Sequence, residues 1–279
     1  MNVELLDVAG DDAGPYAVCA GPDGNLWVTL VHAGAVARVT PGGEVTRHAL
    51  DDPAARPTII VPGPDGALWF SRFGDGRLGR VTVDGDMGTH ELPWPDGGPF
   101  GLATGPDGAL WYTAANADAV GRVGGGVWAT PGFPSTIVTG PDGAVWFTCN
   151  RSGELGRLTA DGEVTVEPAG DAPVGIAADA DAVWWVDIAA DRVRRRAMDG
   201  TVRTVALPAG ARPHAIAADG AGGCFVTEWG AHRLGHVTRD GAYTGRDLPA
   251  AAREPHGLAV TAGAVWVACE TGQLARFTR

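Results

Sequence analysis

Two histidines in this chain each follow a proline, at Pro213-His214 and in Glu254-Pro255-His256-Gly257, and a further carboxylate stands at Glu270. An imidazole is neutral yet still a useful base near pH 7, so a histidine placed beside an activated carbon can take its proton. Side chains two residues apart on a strand project to the same side, which puts Glu254 and His256 together on an extended segment. With a hairpin turn at Thr261-Ala262-Gly263 that pairs Val260 with Ala264, Glu254 falls directly opposite Glu270. Directly opposed residues have Cβ atoms about 5 Å apart, and like charges there are destabilising. Two carboxylates facing each other beside a histidine therefore call for a shared proton or a cation. So few oxygen ligands suit Mg²⁺, which keeps several waters and leaves positions for a substrate carbonyl.

The elements that position these residues are repeats. Gly21-Pro-Asp-Gly-Asn-Leu-Trp27-Val-Thr29 returns almost unchanged as Gly63 to Ser71, Gly105 to Thr113 and Gly140 to Thr148, and in weaker form around Trp184, Phe225 and Trp266. The aromatic recurs at 27, 69, 111, 146, 184, 225 and 266, in steps of 42, 42, 35, 38, 41 and 41 residues. Within a unit, a strand after a proline, the Leu-Trp strand, a strand such as Arg77 to Thr82 and one after an Asp-Gly turn form a four-stranded meander. Seven such units predict an all-β fold, a seven-bladed β-propeller of four-stranded antiparallel blades spanning residues 1–279 as one domain. The aromatic of each second strand is then expected between neighbouring blades. The last unit ends after its third strand at Arg276-Phe277-Thr278-Arg279, and Val3-Glu4-Leu5-Leu6 resembles the missing fourth, so the N-terminal strand is expected to complete the last blade. Closure removes sheet edges that would otherwise pair with other chains.

Positions where the units differ are candidates for chemistry. After the proline that opens each first strand stand Tyr16, Thr58, Phe100, Ser135, Val174, His214 and His256. Before it stand Gly14, Arg56, Gly98, Phe133, Ala172, Arg212 and Glu254, so only the seventh unit carries an acid. First strands line a propeller's channel, which places the two histidines at equal depth in neighbouring blades. Taken singly, each histidine reads as a structural residue and Glu270 as a surface acid; the shared register makes them candidates. Tyr16, Phe100 and Phe133, with Trp229 after Glu228, are expected to give the channel mouth an aromatic character. Asp187 and Glu228, at matching ends of second strands, read as polar residues of the repeat that could also join a metal site. His32, His48, His90, His232 and His236 read as structural or exposed.

Composition narrows the partners. The net charge of -12 repels phosphate backbones and anionic membrane surfaces, so neither nucleic acid nor membrane is expected as a partner. The N-terminal residues lack a basic and an apolar region, and no apolar run approaches membrane-spanning length, which predicts a soluble, cytoplasmic protein. Cys19, Cys149, Cys224 and Cys269 are scattered without a Cys-x-x-Cys and are expected as buried reduced thiols. A closed propeller has no free edge that compels assembly, so a monomer is expected.

Across its whole length, the Gly-Pro-Asp-Gly-x-Leu-Trp repeats with Pro213-His214, Glu254-Pro255-His256-Gly257 and Glu270 resemble the streptogramin B lyases, also called virginiamycin B lyases. The resemblance implies a carbon-oxygen lyase that linearises type B streptogramins, cyclic depsipeptide antibiotics, by elimination at the ester bond. It implies His256 as general base, His214 as a substrate contact, and Mg²⁺ held by Glu254 and Glu270. Tyr16, Phe100 and Trp229 are the expected aromatic substrate contacts. The shortened fourth repeat, the fifth without Gly-Pro-Asp-Gly and Phe225 in the sixth depart from the pattern in loops and packing. A lactonase-like metallohydrolase, leaning on Asp187, Glu228 and Glu270, and a non-catalytic binding scaffold remain as alternatives.

Overall fold

The computed structural model describes residues 2–10 and 12–279. Among these, a single three-residue 3-10 turn, Ala115–Ala117, interrupts an otherwise all-β chain of seven four-stranded sheets. Six sheets each take four consecutive strands, blade 1 running from Pro15–Ala20 to Val45–Ala49 and blade 6 from Pro213–Ala218 to Tyr243–Asp247. The seventh takes Pro255–Val260, Ala264–Cys269 and Gln273–Thr278, and its outer strand is Val3–Asp7, with Val3 opposite Phe277 and Asp7 opposite Gln273. This is the expected seven-bladed β-propeller, with the N-terminal strand completing the last blade. No helix of the described residues is long and apolar enough to cross a membrane.

Two compact units are distinguished, residues 1–102 with 248–279, and residues 103–247. In the first, Trp27 packs with Ile60, Leu68 and Phe70 of blade 2, while Val28 and Leu30 pack with Ala268 and Leu274 of blade 7. In the second, Trp111 packs on Ile137 and Phe147, and Trp184 on Ile216 and Val226. The second-strand aromatics thus lie between blades, as the repeat predicts.

The repeated motif has a physical cause in its aspartate. Asp142 accepts the Trp146 indole N–H at 2.9 Å, the Ala144 backbone N–H at 3.3 Å and the Arg157 guanidinium at 2.7 Å. Asp65 and Asp107 make the same set with Trp69 and Arg80 and with Trp111 and Arg122. The glycine that opens each motif is required because a side chain on Gly21, Gly63, Gly105 or Gly140 would collide with its own tryptophan ring. In blade 6 the tryptophan and arginine change together: Phe225 stacks on His236 at 4.5 Å, and His236 Nε2 meets Asp219 at 2.8 Å. The imidazole thus supplies the hydrogen bond that the indole and guanidinium supply elsewhere. A second tie joins blades to one another, since Thr29, Ser71 and Thr113 donate to the first-strand carbonyls of Thr58, Phe100 and Ser135 at 2.6, 2.7 and 2.6 Å.

Burial alone would raise the Asp142 carboxyl, but the hydrogen bonds from Trp146, Arg157 and Ala144 outweigh it and hold the group below its ordinary 3.8. A carboxylate with a folded pKa below its unfolded one stabilises the fold above the ordinary carboxylate range, and that stability is lost as pH falls through the folded value. Asp142→Asn is therefore expected to cost about 1.5–3 kcal/mol at neutral pH, the usual range for a hydrogen bond to a charged group. Denaturant unfolding at pH 7 and pH 3 checks this: the gap between variant and parent should narrow in acid, and an unchanged gap would show that the charge is not the cause.

Candidate active site

Six of the seven first strands are entered through a left-handed kink, Gly14, Arg56, Gly98, Phe133, Arg212 and Glu254 having φ of 64°, 48°, 57°, 61°, 46° and 53°. That region costs a non-glycine residue about 1–2 kcal/mol, so the side chains at Arg56, Arg212 and Glu254 are held against a local preference. After the kink comes a bulge. In blade 7 Pro255 lies opposite Cys269, the register then shifts, and Val260 pairs with Val265 instead of the expected Ala264. The hairpin is one residue tighter than expected, closed by the Thr261 N–H on the Ala264 carbonyl at 2.8 Å. The extra residue in the bulge offsets this, so Glu254 still faces Glu270, whose N–H donates to the Glu254 carbonyl at 3.3 Å. His256 lies within the bulge, which aims its side chain as bulges beside active sites commonly do.

The side chains converge on Glu270. Its Oε1 lies 3.2 Å from His256 Nε2 and 3.7 Å from His32 Nε2. The His256 hydrogen bond, against burial and with help from Glu254 and the charge of His32, holds the Glu270 carboxyl below the usual range. The His256 ring is stacked on Tyr16 with centroids 4.5 Å apart and planes 26° apart, and its Nδ1 is buried, which leaves Nε2 as the nitrogen on the Glu270 side. Burial raises the Tyr16 phenol, Glu270 adds to this and Arg56 opposes it, so the hydroxyl stays protonated at neutral pH. Blade 1 approaches blade 7 closely enough that a Cβ on Gly257 would lie 2.7 Å from the Ala17 Cα.

Of the sequence-predicted residues, Glu254, His256, Glu270, Tyr16 and Phe100 come together in the first compact unit, Tyr16 meeting Phe100 edge-on at 6.3 Å. His214 and Trp229 belong to the second. There His214 opens the strand Pro213–Ala218 with its Nδ1 buried, as in His256, and the Arg212 guanidinium lies 5.0 Å over the Trp229 ring. Phe133 takes the kink position of blade 4, with Arg151 5.2 Å over its ring. Sequence reasoning missed His32, which is half-exposed as expected yet stands beside Glu270, and Phe73 and Arg56. A side chain on Gly14 would collide with the His32 ring, a contact that no spacing in the sequence announces. His48 stacks on Trp27 at 5.7 Å and His90 meets Trp69 edge-on at 6.2 Å, in the structural roles expected of them.

Asp187 and Glu228 are committed to the fold. Asp187 is fully buried and accepts the N–H groups of Asp171, Ala172 and Ala190 at 2.9, 3.2 and 3.3 Å. Glu228 is also fully buried, accepts the Tyr243 hydroxyl at 2.5 Å, and has its carboxyl raised by burial. These engagements tie up two of the three carboxylates, Asp187 and Glu228, on which the metallohydrolase alternative leaned and leave it Glu270. The thiols are equally inert: burial pushes Cys149 and Cys269 up to about 12.

Glu254 and Glu270, opposed across the first two strands of blade 7, could contribute two oxygen ligands to a hard divalent ion, and no group of three or more His, Cys, Asp or Glu side chains that could hold a metal is found among the described residues. Mg²⁺ is commonly held by one or two carboxylates, with water and substrate completing its shell.

The model of the virginiamycin B lyase family matches residues 1–277. The virginiamycin B lyase of Nocardia farcinica is 41% identical over 262 residues, 92% of this chain and 78% of that protein. That of Saccharopolyspora erythraea is 60% identical over 48 residues, so this match spans 17% of the chain and 15% of the relative's length. Among solved structures, a catalytically inactive His-to-Ala variant of the Staphylococcus aureus virginiamycin B lyase with quinupristin superposes with a TM-score of 0.93 at 29% identity, covering 100% of this chain and 99% of that one.

Proposed function

Because this chain belongs to the virginiamycin B lyase family, we propose that it linearises type B streptogramins by elimination at the ester bond, with Mg²⁺ and with His256 as the base. The observation that carries the reading is His256 Nε2 set 3.2 Å from Glu270, which is itself opposed to Glu254. His256 takes the proton from the carbon α to the threonyl carbonyl and becomes an imidazolium. The released electron pair forms a carbon-carbon double bond while the carbon-oxygen bond of the ester breaks, and the ester oxygen leaves as a carboxylate. No water is added, so the mass of the ring-opened product equals that of the substrate.

Each residue has a part in this sequence. The imidazolium formed on His256 is compensated by the Glu270 carboxylate, 3.2 Å from its Nε2. The Tyr16 ring, stacked on the imidazole, limits its rotation. Glu254 and Glu270 hold the metal, which when bound supplies a Lewis acid for the charge that develops on the carbonyl oxygen. His214 contacts the substrate at its ester end. Tyr16 and Phe100 offer ring surface to the depsipeptide.

Mass spectrometry of a type B streptogramin incubated with the purified protein tests the proposal. The expected result is a ring-opened product of unchanged mass, lost with EDTA and restored by added Mg²⁺. A product heavier by one water would instead establish hydrolysis.

A further inference from the structure

A chain of rings runs outward from His256 within the first compact unit. The imidazole stacks on Tyr16 at 4.5 Å, Tyr16 meets Phe100 edge-on at 6.3 Å, and Phe100 meets Phe73 edge-on at 6.2 Å with planes 88° apart. The exposed Arg56 places its guanidinium carbon 5.8 Å over the outer Phe73 ring. Tyr16, Phe100 and Phe73 are each only partly buried. Rings left partly open beside a polar catalytic cluster offer apolar contact area where a ligand with matching groups would sit.

The repeat shows that this arrangement is not imposed by the blade. Arg56 and Phe73 take the places in blade 2 that Glu254 and Glu270 take in blade 7, one residue before the proline and one after the second strand, because Pro57 pairs with Arg72 as Pro255 pairs with Cys269. Blades 1 and 3 carry Gly14 with Val31 and Gly98 with Ala115 at those places, so the fold does not require a cation over a ring there, while blade 6 repeats one with Arg212 over Trp229. The Arg56 backbone is also held in the left-handed region, with φ 48°.

We propose that Phe73, with Arg56 stacked on it, is a specificity-determining pair that receives an aromatic side chain of the cyclic depsipeptide. This rests on the lyase reading. Edge-to-face and stacked aromatic contacts add about 2–12-fold in affinity beyond burial, and a cation over a ring about 2–30-fold. The contact is made equally in the ground and transition states, so its loss acts on KM and leaves kcat nearly unchanged.

The experiment compares the parent with Phe73→Ala, Phe73→Leu, Phe73→Trp and Arg56→Gln. Each is measured on a type B streptogramin and on an analogue whose aromatic side chains are aliphatic. Equilibrium binding of both ligands is measured by calorimetry alongside turnover. Phe73→Ala should raise KM and weaken binding of the aromatic ligand about 10-fold, with Phe73→Leu and Arg56→Gln intermediate and Phe73→Trp restoring the parent values. On the aliphatic analogue the variants should differ from the parent by less than about twofold. Equal losses on both ligands, or none on the aromatic one, would overturn the proposal. If the parent binds the aromatic ligand tighter than Phe73→Ala yet turns neither over, the ladder stands and the lyase reading fails; absence of binding to the parent overturns the ladder as well.

Discussion

His256→Ala and His256→Gln are each expected to lower kcat for ring opening by about 10²–10⁴-fold, the range for loss of a positioned general base. The two variants separate chemistry from packing. Removing the ring forfeits its stack on Tyr16, worth about 0.5–1.5 kcal/mol, or roughly a factor of ten. Glutamine fills much of the space but cannot accept a proton, so a base predicts a similar large loss in both variants. A structural histidine predicts a loss near tenfold in the alanine variant and less in the glutamine one. Steady-state kinetics with a melting curve for each variant decides between these outcomes. Full activity in a His214→Ala, His256→Ala double variant would exclude both histidines from the chemistry and transfer the case to attack by water.

Most of this site was readable from the chain because the repeat acts as its own alignment. Glu254 stands out where the other units carry glycine, arginine, phenylalanine or alanine, and the matching places of His214 and His256 follow from counting alone. The opposition of Glu254 and Glu270 was reached by a register wrong by one at the turn and right at the far end, because a bulge at Pro255 to Leu258 inserts the missing residue. A bulge of this kind recurs at Pro15 to Val18 and at Pro57 to Ile60, and period-two counting has no means to register it. His32 and Phe73 were out of reach for another reason. They lie past the ends of second strands, where side-chain direction depends on the loop, and Glu270 and Phe100, which they meet, come from other blades. The Asp142 network shows the converse: its aspartate, tryptophan and arginine all belong to one blade, so the motif could be seen as a unit before its bonds were known.

Glu270→Gln is expected to be the most damaging single substitution at the carboxylates, because this side chain faces three groups at once. It opposes Glu254, lies 3.2 Å from His256 Nε2 and lies 3.7 Å from His32 Nε2. Glutamine keeps the volume and some hydrogen bonding but removes the charge that compensates an imidazolium. A hydrogen bond to a charged group contributes about 1.5–3 kcal/mol, so proton transfer should slow by about 10–150-fold even with Mg²⁺ in excess. Glu254→Gln removes a metal ligand and leaves the His256 partner in place, so excess Mg²⁺ should restore most of its activity. Titration calorimetry of Mg²⁺ into the substrate-free protein supplies the independent readout: both variants should bind the ion at least about 10-fold more weakly than the parent. Unchanged Mg²⁺ affinity in both would remove the metal from the carboxylate pair and favour a scaffold in which Glu254 and Glu270 share a proton. Equal rescue of both variants by Mg²⁺ would instead show that Glu270 serves the metal alone and that His256 works without a carboxylate partner.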